Sequence, residues 1–372
     1  MKMPSERQLL LAGAWVLAAL FAYLVISGLP STPPDLAQFY LAGRVILDGH
    51  VADLYDPAVY APFAEQLRAS GTRVSPWPVY NRPAFAAIPW AVIARLPYSV
   101  IEQLSLAANL IGIAFLTWKL PSWFPRLINY RPWLICYPPF LWGFLMGQDT
   151  VFITIALAYS VILMRAEREA RAGLLLSLCI VKPHLVWLVP VALFFTGKRR
   201  TTYWFIAGAT ALAATSLLMV GTTGFIQWRE LLGATSTDYA PEGMATLRAI
   251  GLHTHVGVAI LLALGVIAAL FRTCQSGDME RALPVAMVAS LLLSPHAYAQ
   301  DASTFAVVAG FAAVPLLRGW LLIPWPAVAG LAGINAFSVT YAIVGLGAIL
   351  AFTFPRSRPS ESPTARPQDE RQ

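Results

Sequence analysis

What this sequence lacks first is charge. Asp, Glu, Lys and Arg make up 12% of its 372 residues, while 58% are hydrophobic. Soluble domains carry about 25% charged residues, so a water-soluble globule is excluded. Cysteine is equally sparse. Cys136, Cys179 and Cys274 lie in or beside apolar runs and form no Cys-x-x-Cys, which leaves no disulfide framework and no zinc ribbon. No P-loop and no Gly-x-Gly-x-x-Gly fingerprint occurs, so neither ATP nor dinucleotide chemistry is indicated. There is no His-Glu-x-x-His, and the close pair His253 and His255 has no neighbouring carboxylate to complete a zinc site. Asp-x-Asp is also missing. Sugar-nucleotide donors usually need their diphosphate neutralised by a metal on such carboxylates. The sequence therefore predicts no metal and no cofactor.

What is present is apolar length, with a mean hydropathy of +0.63. After "MKMPSERQ" the run from Leu9 to Ser27 exceeds the roughly 7–15 residues of a signal-peptide core, and predicts a retained first helix. The apolar runs predict an all-α polytopic membrane protein of about 10–12 spans. They fall at 9–28, 99–118, 133–146, 150–164, 172–182, 184–196, 202–220, 256–271, 282–294, 301–317, 320–335 and 337–354. Several are shorter than the roughly 20 residues a spanning helix needs. The pair meeting at Lys182-Pro183-His184 reads as two short helices buried against protein. With the N-terminus in the cytoplasm, roughly two-thirds of the 26 Lys and Arg residues fall on the inner side, as the positive-inside rule asks. Both termini are then cytoplasmic. Residues 1–354 form one membrane domain, and the proline-rich segment 355–372 is a disordered tail. The net charge of +7 is spread over the ends of apolar runs rather than gathered in a patch, so no nucleic-acid partner is expected.

This topology puts every polar interruption on the outer face: Asp35, "MGQDT" at 146–150, "VKPHL" at 181–185 and "SPHAYAQD" at 294–301. The long outer segments are 29–98 and 221–255. Within them 36–47, 57–69 and 223–233 carry apolar residues at helical spacing and read as interfacial helices. "SPWPVYNRPAFAAIPW" at 75–90 suits rings at headgroup depth. Ionisable residues at membrane depth are costly and usually functional. Lys182 is either a snorkelling anchor or a cation for an anionic headgroup. Asp35 in "TPPD" is either a helix cap, with Gln38 completing a capping box, or a working carboxylate.

In order along the chain, "PPDLAQFYLAGRVILDG", "LYDP", "NRPAFAAIPWAVIARLPY", "GQDT", "KPHLVWLVPVALFFTGKRR" and "SPHAYAQD" resemble glycosyltransferase family 87, the polyprenyl-phosphate-dependent membrane glycosyltransferases of GT-C type. The resemblance runs over about residues 9–310. It implies metal-independent transfer of a glycosyl group, typically mannosyl, from a polyprenyl-monophosphate sugar to a lipid or glycan acceptor. The reaction would take place at the outer face of the cytoplasmic membrane, among its lipids. It also implies that Asp35 is the general base. Lys182 and Arg82 are the candidates for the donor phosphate, and Tyr40, Gln148, His184, His296 and Asp301 for further substrate contacts. The sequence departs from the family pattern where the histidine directly follows Pro295, and where "NRPA" replaces a double proline. The rival class is a transporter or flippase of lipid-linked sugars.

Overall fold

The computed structural model describes residues 8, 9, 12, 13, 15, 16, 33–72, 74, 79–238, 244–322 and 334–354. Most of the expected first span, part of the 320–335 span and the tail from 355 lie outside the described residues. Every described element is helical, as the apolar periodicity predicts, and the protein is an all-α polytopic membrane protein.

The first layer lies outside the long helices. Helix α1 spans Pro34–Leu47 and α2 spans Pro57–Ala69, close to the predicted interfacial segments. Asp56 caps α2 by accepting from the Ala58 N–H at 2.9 Å. A 3-10 turn at Ala84–Ala87 leads into the short α3, Ile88–Ile93. These pieces share a small core of their own. Leu36, Leu41, Leu54, Tyr60 and Tyr80 are buried in it together with Val220.

The long helices follow. Helix α4 spans Tyr98–Trp123, about 39 Å at 1.5 Å per residue. Leu104, Leu110, Ile111 and Trp118 are exposed along it, an arrangement that makes sense only with lipid as solvent. The predicted span at 133–146 is broken. A short helix ends at Ile135, and α5 restarts at Pro138–Met146, because proline lacks the N–H a continuous helix needs. Helix α6, Thr150–Arg165, is unbroken.

The pair predicted to meet at Lys182 does so. Helix α7, Glu169–Ser177, tightens into a 3-10 turn. Lys182 leaves the helical conformation at φ −126° and ψ 78°, and a second 3-10 turn leads to α8, Val189–Phe195. Helix α9, Arg199–Asp238, kinks at Gly221, whose φ of 65° and ψ of −173° belong to a region essentially reserved for glycine. The predicted interfacial segment 223–233 is the arm beyond that kink.

Helix α10, Val256–Gln275, again presents apolar residues outward, Leu261 and Leu264 among them. With α4 and Arg199–Gly233 it makes three helices, among the described residues, long and apolar enough to cross a membrane. Helix α11, Met279–Leu292, is buried from Ala282 to Leu292, the pattern of a helix at the centre of a bundle. The predicted span 301–317 is not one helix. It opens as a 3-10 turn, Ala299–Thr304, runs as α12, Phe305–Phe311, breaks at the extended Ala312 and resumes as α13, Pro315–Leu322. All of α12 is buried, so it meets protein rather than lipid. Helix α14, Ile334–Thr353, closes the bundle against α11.

The bundle has two chemically distinct ends. Helix α6 starts beside Gln148 and ends at Arg165, which pairs with Glu280 at 2.7 Å. Helix α11 carries that Glu280 in its first turn and ends just before Ser294. The polar breaks named above therefore gather at one end. The Arg-rich turns gather at the other, where Arg126 caps the Phe311 carbonyl and Arg281 the Phe352 and Thr353 carbonyls.

Candidate active site

Asp35 sits in the first turn of α1, behind Pro33 and Pro34. Pro33 occupies the cap position and no side chain caps the helix. The simple capping reading, with Gln38 as partner, is thereby corrected. A proline pair sets the helix start, and the Asp35 carboxylate points elsewhere. It accepts a hydrogen bond from Gln148 Nε2 at 2.6 Å. Its place in the first turn also sets it in the favourable field of the helix N-terminus.

Gln148 is presented by a tight exit from α5. Gly147 ends that helix in the left-handed conformation at φ 72°. It packs so closely on α1 that an added Cβ would lie 2.7 Å from the Leu36 Cβ. The other end of the Gln148 amide accepts from Arg82 Nη2 at 2.7 Å. Arg82 also donates to both Asp149 oxygens, at 3.0 and 3.4 Å, and to the Val181 carbonyl at 3.3 Å. Its guanidinium lies over the Phe39 ring, 5.3 Å from the centroid. Tyr55 fixes the backbone beneath by donating to the Arg82 carbonyl at 2.8 Å.

The second half of the site comes from the two breaks in the bundle. Lys182 Nζ pairs with Asp301 Oδ1 at 2.5 Å, with both side chains almost fully buried. The other Asp301 oxygen accepts from the Tyr298 N–H at 3.0 Å and stands 3.5 Å from His184 Nε2. The His296 ring meets Tyr298 edge-on at 4.9 Å.

These groups surround one cavity of about 260 Å³. Asp35, Arg82, Gln148, Lys182, His184, His296 and Asp301 all line it, although they come from segments as far apart as α1 and the turn before α12. Tyr40 does not. It lines a different cavity and packs edge-on against Tyr98 at 5.3 Å. At about 100° per residue, five positions along α1 turn it roughly 140° away from Asp35. Sequence reasoning missed Asp149, although it stands beside Gln148 in "GQDT". It also missed the roles of Asn81 and Trp228, whose bond from indole Nε1 to the Asn81 carbonyl, 3.1 Å, closes one wall. Nothing local signals a contact between residues so distant in the chain.

Two neighbours in this site differ in protonation behaviour. Burial raises the Asp35 carboxyl above its ordinary range. The Gln148 hydrogen bond and the charges of Lys182 and Arg82 oppose that rise. Burial and the nearby His184 push His296 down to about 4, so its imidazole is neutral at pH 7 and adds no positive charge.

A larger groove of about 700 Å³ adjoins the cavity and shares Pro83, Pro183 and Trp228 with it. Its other walls are largely apolar, with Phe85, Ile180, Leu217 and Phe225 among them. His255, one of the pair weighed for zinc, instead accepts from the Gly257 N–H at 3.0 Å and caps α10.

A family model described as glycosyltransferase family 87 matches residues 80–295, more than half of the chain and a narrower stretch than the motif resemblance covers. No curated protein and no solved structure matches. Arg82, Gln148, Lys182 and His184 fall inside the matched stretch. Asp35 precedes it, and His296 and Asp301 follow it directly. The fold carries these outlying residues to the same cavity as the matched ones. By the extent of that match the chain belongs to glycosyltransferase family 87, and its reaction joins a sugar from a donor to an acceptor.

Proposed function

We propose that this glycosyltransferase is of GT-C type and moves a mannosyl group from a polyprenyl-monophosphate sugar to a lipid or glycan acceptor, at the extracytoplasmic face of the cytoplasmic membrane. Asp35 is the general base. The observation that carries this reading is the division of labour among carboxylates. Asp149 and Asp301 are each held by a cation. Among the described residues Asp35 forms no ion pair and accepts from the neutral amide of Gln148, and burial raises its pKa. An ion-paired carboxylate is a poor base, and one with a raised pKa is a better one.

In the step proposed, the acceptor hydroxyl oxygen attacks the anomeric carbon and Asp35 takes its proton. The bond from the anomeric carbon to the phosphate oxygen breaks, and polyprenyl phosphate leaves. Attack opposite a β-linked phosphate yields an α-glycoside. Lys182 carries three N–H donors and shares them with Asp301, so donors remain for the departing phosphate. Arg82 adds its charge from the neighbouring wall, and charge placed where charge develops stabilises the transition state. The size of the cavity suits one sugar ring with its phosphate, since pockets for larger ligands run to about 300–1,000 Å³. The adjoining apolar groove suits the first isoprene units of the donor.

Membranes containing the protein, supplied with polyprenyl-phosphate mannose and envelope lipid extract, should form a mannosylated product. In Asp35→Asn the transfer rate should fall about 10²–10⁴-fold, the usual contribution of a general base. Transfer at the wild-type rate in that variant would remove Asp35 from the role. Absence of any glycosidic product from the wild type with this donor would remove the donor assignment.

A further inference from the structure

Behind α1, on the face turned away from Asp35, lies a separate cavity of about 420 Å³. Tyr40 and Arg44 of α1, Gln66 of α2, the following Thr72, and Tyr98 and Glu102 of α4 line it. Helix α4 is long and apolar enough to span a membrane, and Tyr98 and Glu102 belong to its first two turns. Helices α1 and α2 belong to the layer outside the bundle. The cavity therefore sits where a spanning helix meets the interface, at headgroup depth.

Its two charged groups are at most loosely engaged. Glu102 is half-buried and has no hydrogen-bond or ion-pair partner among the described residues. Arg44 has Asp48, one turn along its own helix, at a loose 3.7 Å. Tyr98 is 7% exposed, and its hydroxyl is buried with no hydrogen-bond partner. An unpaired buried hydroxyl is uncommon in a native fold and asks for an explanation. The two opposite charges line one cavity without pairing with each other. A purely anionic ligand would face Glu102 as a like charge. A neutral sugar would leave both charges uncompensated.

The geometry points to a binding site for the zwitterionic headgroup of a membrane phospholipid, a phosphate ester joined to a primary ammonium. The Arg44 guanidinium takes the phosphate, a pairing its planar donors suit. The Glu102 carboxylate takes the ammonium. A lipid seated there braces the back of the helix whose front carries Asp35. The site is independent of the assignment of Asp35 as base.

The full chain in detergent, titrated with short-chain phosphatidylethanolamine, phosphatidylcholine and phosphatidylglycerol, tests this by thermal unfolding and by native mass spectrometry. Phosphatidylethanolamine should bind about tenfold more tightly than phosphatidylcholine, whose methylated ammonium donates no hydrogen bond. Glu102→Gln should erase that preference. Arg44→Gln should weaken both lipids about tenfold. Glu65→Gln, exposed on α2 outside the cavity, should change nothing. Equal affinity of the wild type for the two lipids would overturn the proposal, and this comparison stands even where a variant fails to fold. So would a preference surviving in Glu102→Gln, tighter binding of phosphatidylglycerol, or displacement of the lipid by a soluble mannose oligosaccharide.

Discussion

At the scale of single residues, Asp35 and Lys182 make opposite demands on the fold. The pKa of Asp35 is raised by burial. It favours the folded state when protonated, and that contribution is lost as pH rises through the raised value. In the proposed role of base its working form is the carboxylate, present only above that value. Replacing Gln148 by Leu removes the hydrogen bond that opposes the rise. The acid limb of kcat/KM should then move to higher pH, a shift that a purely structural role for Gln148 would not produce. Lys182 is the reverse case. Its pair with Asp301 is buried on both sides, and Lys182→Met strands a carboxylate, which should cost about 3–5 kcal/mol in unfolding free energy. In the double variant Lys182→Met/Asp301→Leu much of that stability should return while transfer remains lost. Recovery of transfer in the double variant would show that Lys182 serves the fold alone. Lys182 was legible in the sequence, because a lysine between two apolar runs has few explanations. Its partner was legible only as a polar break, since nothing in residues 294–301 says which cation they face.

At the scale of elements, the site depends on two glycines that no other residue replaces. Gly147 combines a positive φ with contact against Pro33 and Leu36. Gly147→Ala should lower the unfolding midpoint and push α5 away from α1, stretching the bond between Gln148 and Asp35. Transfer should fall at least tenfold in kcat, measured beside the unfolding curve; a variant with lowered stability and unchanged kcat would show that the contact serves stability only. Gly221 turns the end of α9 so that Val220 joins the outer core and Trp228 reaches Asn81. The interfacial helices were readable from spacing because lipid and protein sort their faces in the same way at every turn. The span expected at 301–317 was not. Its residues are apolar enough, but Asp301 binds the backbone before it and Ala312 is extended. Hydropathy measures what solvent a segment tolerates, and a segment wrapped wholly in protein tolerates the same residues as one in lipid. The misplacement of Tyr40 has a similar origin, since its proximity to Asp35 in the chain hides their opposite directions on the helix.

At the scale of the molecule, the polar breaks and the Arg-rich turns occupy opposite ends, and all three cysteines are buried. Introduced cysteines can therefore report sidedness. Ala69→Cys, exposed on α2, should react with a membrane-impermeant maleimide in intact cells. Ala166→Cys, exposed beyond α6, should react only after permeabilisation, and the reverse pattern would invert the proposed orientation. The pairing of Arg82 with Asp149 and of Lys182 with Asp301 has a kinetic consequence at this scale. The resting cavity is nearly electroneutral and projects little field into bulk water. Steering of dissolved anions needs an unbalanced field and fades with ionic strength, so turnover should be almost indifferent to salt, and free phosphate should compete poorly. The proposed polyprenyl-linked donor would reach such a site by diffusing within the bilayer plane. The concentration that sets the rate is then the donor's mole fraction among the lipids, and adding inert lipid at constant donor should slow the enzyme by surface dilution.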